Sequence, residues 1–440
     1  MLGSAAAACH GPGVNDALAQ PASPLHIPEY RRYWLARFLA VFATVSMVVL
    51  LGYQVYDVAR TGYHMGTRNA SLMLGLLGAA QFVPLMMLTP LAGIAADRFD
   101  RRLVVLAANG ADGVLAVILA VATWQGALTL PLLFALAAGH GAARVFNGPA
   151  LSAIAPNIVP PVLLPRAIAF SSMAWQIATV VGPAVGGFLF AKWASLPYFL
   201  GAGLLLASAL LIWSLPPMRA RHGGPPAHPL RQMTDGFRFV RHERFLVGCI
   251  TLDLFAVLFG GATAMLPVFA RDILSVGPQG LGLMRGAPAL GAGLVAAWLS
   301  FRPLGRNVGV KMLWAVVVFG AGTIAFGLSR WFLVSLAILA LLGAADMISV
   351  FIRNSLVQLN TPDTMRGRVS AISGLAISAS NELGELESGF IAALIGPVGA
   401  VVLGGVGAIV ITAAWAWIFP ELRRAATFAP TYLHDVSPKE

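Results

Sequence analysis

Apolar residues run along this chain in long blocks, separated by short polar turns. A bilayer core is crossed by about 20 apolar residues in a helix. The blocks predict helices near 34–56, 72–96, 103–124, 128–150, 166–191 and 196–215, then 245–270, 280–301, 309–328, 332–358, 368–394 and 396–419. Backbone groups facing lipid find no water to bond, so segments of this length must cross as helices. The expected fold is all-α and integral to a membrane, with 12 transmembrane helices.

One polar interruption is much longer than the rest. Residues 216–244 hold Gly223-Gly224-Pro225-Pro226 and arginines 219, 221, 231, 238, 241 and 244, the composition of a cytoplasmic linker with one short surface helix. This predicts a disordered cytoplasmic tail at 1–27, a six-helix bundle at 28–215, the linker at 216–244, a second six-helix bundle at 245–420 and a cytoplasmic tail at 421–440. Sliding the second half by 202 residues pairs Pro160 with Pro362, Arg166 with Arg368, Gly182 with Gly384 and Gly187 with Gly389. Two bundles related by a pseudo-twofold axis around a midplane site is a transporter arrangement.

Composition agrees: 58% of residues are hydrophobic and 11% charged, against roughly 45–50% and 25% in soluble domains. The net charge of +11 raises nucleic acid as a partner, but the positions of the charges point elsewhere. With both termini inside, the outer loops hold only Arg60, Arg68, Lys192, Arg271 and Arg330. Arg37, Arg144, Arg285 and Arg353 lie within helices, and the rest of the 29 Lys and Arg fall inside. That bias is the positive-inside rule and predicts cytoplasmic termini. Cys9 and Cys249 offer no disulfide framework, and residues 1–27 lack the basic start of a signal peptide. No His-Glu-x-x-His, Walker A pattern or metal cluster is present, so no enzyme, cofactor or metal is expected.

The turn Gly93-Ile94-Ala95-Ala96-Asp97-Arg98-Phe99-Asp100-Arg101-Arg102 resembles the loop between helices two and three of the major facilitator superfamily, roughly Gly-x-x-x-Asp-Arg-x-Gly-Arg-Arg/Lys. Asp100 stands where that pattern has glycine. The resemblance implies a cytoplasmic latch made by Asp97, Arg98, Arg101 and Arg102, with Gly93 allowing close packing. In the fifth helix, Gly182-Pro183-Ala184-Val185-Gly186-Gly187 combines small residues, which let helices approach, with a proline that bends the helix and frees a carbonyl. It looks like the antiporter motif of drug/proton exchangers in that superfamily, which tilts the expected direction toward efflux. Tyr53-Gln54-Val55-Tyr56-Asp57 and Asn360-Thr361-Pro362-Asp363-Thr364-Met365-Arg366-Gly367-Arg368 are similar to segments of one branch, the siderophore exporters, macrolide efflux proteins and transmembrane secretion proteins. The branch implies a bacterial inner (plasma) membrane.

Ionisable residues inside a bilayer are costly and mark function by default. The resemblance implies a cavity lined by helices 1, 4, 7 and 10. Asp253 falls about eight residues, roughly 12 Å, into the seventh helix, with no basic residue within a turn. A desolvated carboxyl there suits proton uptake and release; bonding to a neighbouring helix is the alternative. Arg144 and Asp346 are equivalent under the 202-residue offset and either pair across the cavity, or Asp346 pairs locally with Arg353. His140 is a further proton candidate or a hydrogen-bonded core histidine. Glu382 and Glu385 share a face of the eleventh helix, with Glu387 turned away, as a proton relay or a solvated outer mouth. Asp112 and Asn109 suggest a packing network, and Asp57 an outer cap of helix one. Tyr53, Gln54, Tyr56, Phe255 and Phe259 are the candidate cavity residues for an amphiphilic cargo.

The expected function is a monomeric secondary exporter of an amphiphilic, siderophore- or drug-like small molecule, driven by proton antiport through alternating access. Its partners are cargo, protons and lipid, without nucleic acid. A proton-coupled importer of the same fold and a non-transporting receptor or scaffold are the alternatives.

Overall fold

The computed structural model describes residues 23–218, 229–260, 262–302 and 304–428. The tails before 23 and after 428, with residues 219–228 of the arginine-rich linker, lie outside the described residues. All regular structure among the described residues is helical. The first set is α1 (Pro28–Thr61), α2 (Thr67–Arg98), α3 (Arg101–Trp124), α4 (Leu130–Ile158), α5 (Leu164–Lys192) and α6 (Leu196–Trp213). A linker helix, Pro229–His242, leads to the second set. This comprises α7 (Arg244–Phe259), α8 (Gly277–Phe301), α9 (Val308–Leu328), α10 (Phe332–Leu359), α11 (Asp363–Ile395) and α12 (Pro397–Ile418). Ten of these are long and apolar enough to cross a membrane; α4 and α11 equal them in length and pack among them. Large apolar side chains such as Phe301 (86% exposed) and Trp417 (82%) ring the outside, a surface that suits lipid rather than water.

Local chemistry sets the helix ends. Thr129 and Asp100 cap α4 and α3, each side-chain oxygen accepting a backbone N–H of the first turn. Between α11 and α12 the chain turns at Gly396, φ +88°, a conformation open mainly to glycine, and Pro397 then starts α12 with a preset φ. The expected continuous helix over 245–270 is corrected: α7 stops at Phe259, and a 3₁₀ turn (Ala262–Met265), a single α-turn (Leu266–Val268) and a π-turn (Phe269–Ile273) follow. Gly260 ends α7 where a side chain would meet the Phe319 ring, and Pro267 lies just beyond. Hydropathy continues through this stretch, which is why apolar pattern alone reads it as one helix.

The ends of the molecule differ. At the end carrying the start of α1, Tyr30 donates to the Ala167 carbonyl at 2.6 Å and Arg102 to that of Leu215 at 2.8 Å, within the first set. At the equivalent end of the second set, Arg244 donates to the Ile418 carbonyl at 2.9 Å. The buried apolar cores there are separate. One contains Tyr33, Ile154 and Ile212; the other contains Leu246, Met312 and Leu356. At the far end a single core runs through both sets, joining Leu50 and Leu74 to Leu266, Phe269 and Met284. The halves are therefore sealed at the far end and parted at the terminal end.

Candidate functional site

Small residues make the far seal. The α5 motif packs against two helices. Ser46 of α1 donates to the Gly182 carbonyl at 2.5 Å. A side chain at Gly187 would meet the Pro278 backbone of α8, and one at Gly282 of α8 would meet that of Pro183. Gly75 of α2 and Gly389 of α11 meet in the same way. Beyond them, the end of α1 and the π-turn exchange charges: Asp57 pairs with Arg271 at 3.0 Å, Arg60 with Asp272 at 3.2 Å, and Tyr56 donates to Asp272 at 2.6 Å. The expectation of Asp57 as a simple cap misses this cross-set lock. Its partners sit more than 200 residues away in a turn with no motif.

From that seal a cavity of about 720 Å³ extends toward the terminal end. Arg285, Glu382 and Glu385 line its deep part; His140, Arg144 and Asp346 lie midway by helix register; Arg37, Leu151 and Ser152 lie nearer the mouth. Arg144 of α4 reaches Glu382 of α11 at 3.4 Å, across the two sets. His140 is 2% exposed, with Nδ1 3.0 Å from Asp112 of α3, while its buried Nε2 has no partner. Asn109 instead bonds Ser208 at 3.0 Å and Asn147 at 2.8 Å.

Neither expected pairing of Asp346 forms. Arg353 turns behind the cavity wall to α7, where its guanidinium lies 2.6 Å from Asp253. Asp253 and Arg353 are buried, whereas Asp346 is exposed to the cavity. Asp346, Ser349, Asp253 and Arg353 also line one small crevice, so Asp346 stands between the cavity and the buried pair. Seven-residue spacing correctly puts Asp346 and Arg353 on one face, but says nothing of what faces Arg353 from α7.

The aromatic and amide candidates are off the cavity, a correction. Tyr53 packs edge-on to Phe190 at 5.8 Å, Gln54 accepts from Tyr198 at 2.8 Å and donates to Thr123 at 3.1 Å, and Tyr56 belongs to the lock. Phe255 packs at a tilt against Trp415 at 5.2 Å, and Phe259 covers Gly407. These side chains point between helices, where their rings and amides find fixed partners. The face of α1 that does line the cavity is Arg37, Val41, Thr44 and Val48, and Arg37 and Arg285 are cavity residues that sequence reasoning left unassigned.

In the α2–α3 turn the Asp97 side chain lies outside the described residues. Asp100, the departure from glycine, caps α3 through Arg102 N at 3.1 Å and holds the Arg102 side chain at 3.1 Å. Arg101 donates to the Ala153 carbonyl at 3.3 Å, and Arg98 is exposed. Gly93 has open space where a side chain would stand. The close packing expected there is absent because this end is parted.

A sealed end, a charged central cavity and a parted end leave the cavity open to one side. The pattern of the family described as transmembrane secretion effector matches residues 19–431. The chain belongs to that family. It is similar to the enterobactin exporter EntS of Escherichia coli O1:K1 / APEC, 26% identical over 400 residues that cover 90% of the chain and 93% of the relative. The EntS of Escherichia coli O139:H28 (strain E24377A / ETEC) is 25% identical over 398 residues, covering 90% and 93%. In fold it is similar to a bacterial homolog of the human lysosomal transporter Spinster, crystallised inward-facing and occupied (TM-score 0.69, 16% identity, 93% and 99% covered). It is also similar to a D-xylose-proton symporter (0.64, 14%, 89% and 98%). The chain thus has the major facilitator fold and is a multi-span secondary transporter, not an enzyme.

Proposed function

We propose that this transporter exports an amphiphilic, siderophore- or drug-like molecule from a bacterial cytoplasm in exchange for protons. The observation that carries the coupling is the Asp253–Arg353 pair at 2.6 Å, buried behind the cavity wall, with Asp346 on the way to it. A buried ion pair is costly to form and costlier to break one-sidedly, so its state can bias the two arrangements of the second bundle. When Asp253 carries a proton its charge is lost, and Arg353 is free to turn to Asp346. Release of that proton restores the pair seen here. Coupling needs the proton-loaded and cargo-loaded forms to prefer different openings.

The arginine distribution supports cytoplasmic termini in the inner membrane, with two six-helix bundles, 28–215 and 245–420, moving about the cavity. The parted end then faces the cytoplasm, where an export cargo enters. The Asp57–Arg271 and Arg60–Asp272 pairs close the other side, and Asp97 with Arg98, Arg101 and Arg102 serves as the opposite latch once the molecule turns outward. Similarity to enterobactin exporters and the Gly182–Gly187 packing favour efflux.

The test uses inverted membrane vesicles with an acidic interior and a pH-sensitive dye, challenged with siderophores and macrolides. Proton release triggered by one compound and absent in Asp253→Asn supports antiport. Cargo uptake into these vesicles that is indifferent to the pH gradient overturns it.

A further inference from the structure

Every acid on the cavity has a cation in its own neighbourhood. Glu382 is held by Arg144 at 3.4 Å. Arg285 lines the same deep part of the cavity as Glu382 and Glu385. Asp346 shares its crevice with Arg353. Arg37 has no such match. Among the described residues its guanidinium meets only the Tyr33 hydroxyl, at 3.4 Å, and its buried Nε has no partner. Even that hydroxyl is shared, since it donates to the Leu151 carbonyl at 3.2 Å and lies 3.4 Å from Ser171.

A half-buried guanidinium that faces a cavity with none of its acids paired to it is costly unless an anion reaches it. Its five donors fit a carboxylate or similar oxyanion in a fork, a strong charge-assisted contact. Beside it the cavity offers apolar and aromatic surface. Val41 and Val48 continue along α1, and Trp175 of α5 is 48% exposed. Because Arg37 lies toward the parted end, it is met early by a molecule entering there.

We propose that the cargo carries an acidic group and that Arg37 binds it, with the apolar body of the cargo lying along Val41, Val48 and Trp175. This rests on the exporter reading for the word cargo; the anion site itself does not depend on direction or coupling.

The probes are dansylglycine, its neutral amide and the cationic dansylcadaverine, added to full-length protein in nanodiscs and followed by energy transfer from tryptophan. The acid is expected to bind at least about tenfold tighter than the amide, and Arg37→Gln to remove that preference while leaving amide binding unchanged. Arg37→Lys recovers part of it, since the charge remains and the fork is lost. Unchanged amide binding in Arg37→Gln shows that the variant is folded. Equal binding of acid and amide, acid binding that survives Arg37→Gln, or no binding of the acid overturns the proposal. The same probes in energised inverted vesicles separate the two readings. Gradient-driven uptake of dansylcadaverine, untouched by Arg37→Gln, keeps export and removes the anion site. Arg37-dependent binding of dansylglycine that no gradient moves keeps the site and removes proton-driven export.

Discussion

Asp253 on α7 and Arg353 on α10 are 100 residues apart in sequence and 2.6 Å apart in space, with side chains 7% and 4% exposed. Removing one member of such a pair leaves an uncompensated buried charge, at about 3–5 kcal/mol. Arg353→Gln should therefore reduce the thermal midpoint and membrane abundance strongly. Asp253→Asn with Arg353→Gln should recover much of both, because no charge is left buried alone. Fluorescence-detected size exclusion across a temperature series checks this; equal stability of the single and double variants would remove the pair from the account.

The far-end lock makes a conformational prediction. Asp57–Arg271 and Arg60–Asp272 are partly exposed, so each contributes up to about 1 kcal/mol, or about fivefold in an opening equilibrium. In a variant free of Cys9 and Cys249 and carrying Val48→Cys on the cavity wall, Asp57→Asn should raise labelling by an impermeant thiol reagent from the outer side by up to that factor. Arg271→Asp combined with Asp57→Arg should bring it back. Labelling that ignores the charges would make the lock a bystander.

Gly187 and Gly282 are in backbone contact with the opposite set, whereas Gly203 has nothing within 4 Å of an added Cβ. Gly187→Ala and Gly282→Ala should each destabilise the sealed state by about 1–3 kcal/mol through overpacking, lowering the thermal midpoint. Gly203→Ala should leave it in place or raise it slightly. The three midpoints measured side by side decide the matter.

Asp100 caps α3 and holds Arg102, which also lies over the Trp213 ring at 5.3 Å. Asp100→Ala should cost about 1 kcal/mol as a lost N-cap, and Asp100→Asn much less. A thermal midpoint for Asp100→Ala equal to that of the parent would show that the cap contributes nothing.

Ten of the membrane helices were legible because each is a long apolar run, and the family was legible because Gly93–Arg102 and Gly182–Gly187 are local patterns. Partners were not. Asp253 with Arg353, His140 with Asp112, and Arg144 with Glu382 lie on different helices. Sequence gives their depth through the 202-residue offset and the rise per residue, but not the rotation of one helix against another. The same gap explains Tyr53 and Phe255, whose depth suits a cavity while their azimuth puts them against Phe190 and Trp415. The break after Phe259 escaped because apolar composition continues across it, and with it went Arg271 and Asp272, which only the π-turn brings to α1.

The central claim is that Asp253 links proton movement to cargo movement. Reconstituted protein can be compared in two assays: cargo counterflow without a pH gradient, and cargo accumulation driven by one. The account predicts that Asp253→Asn, compared with the parent at equal amounts of folded protein, keeps counterflow, since the carrier still alternates, and loses gradient-driven accumulation. Accumulation by Asp253→Asn equal to that of the parent would contradict it.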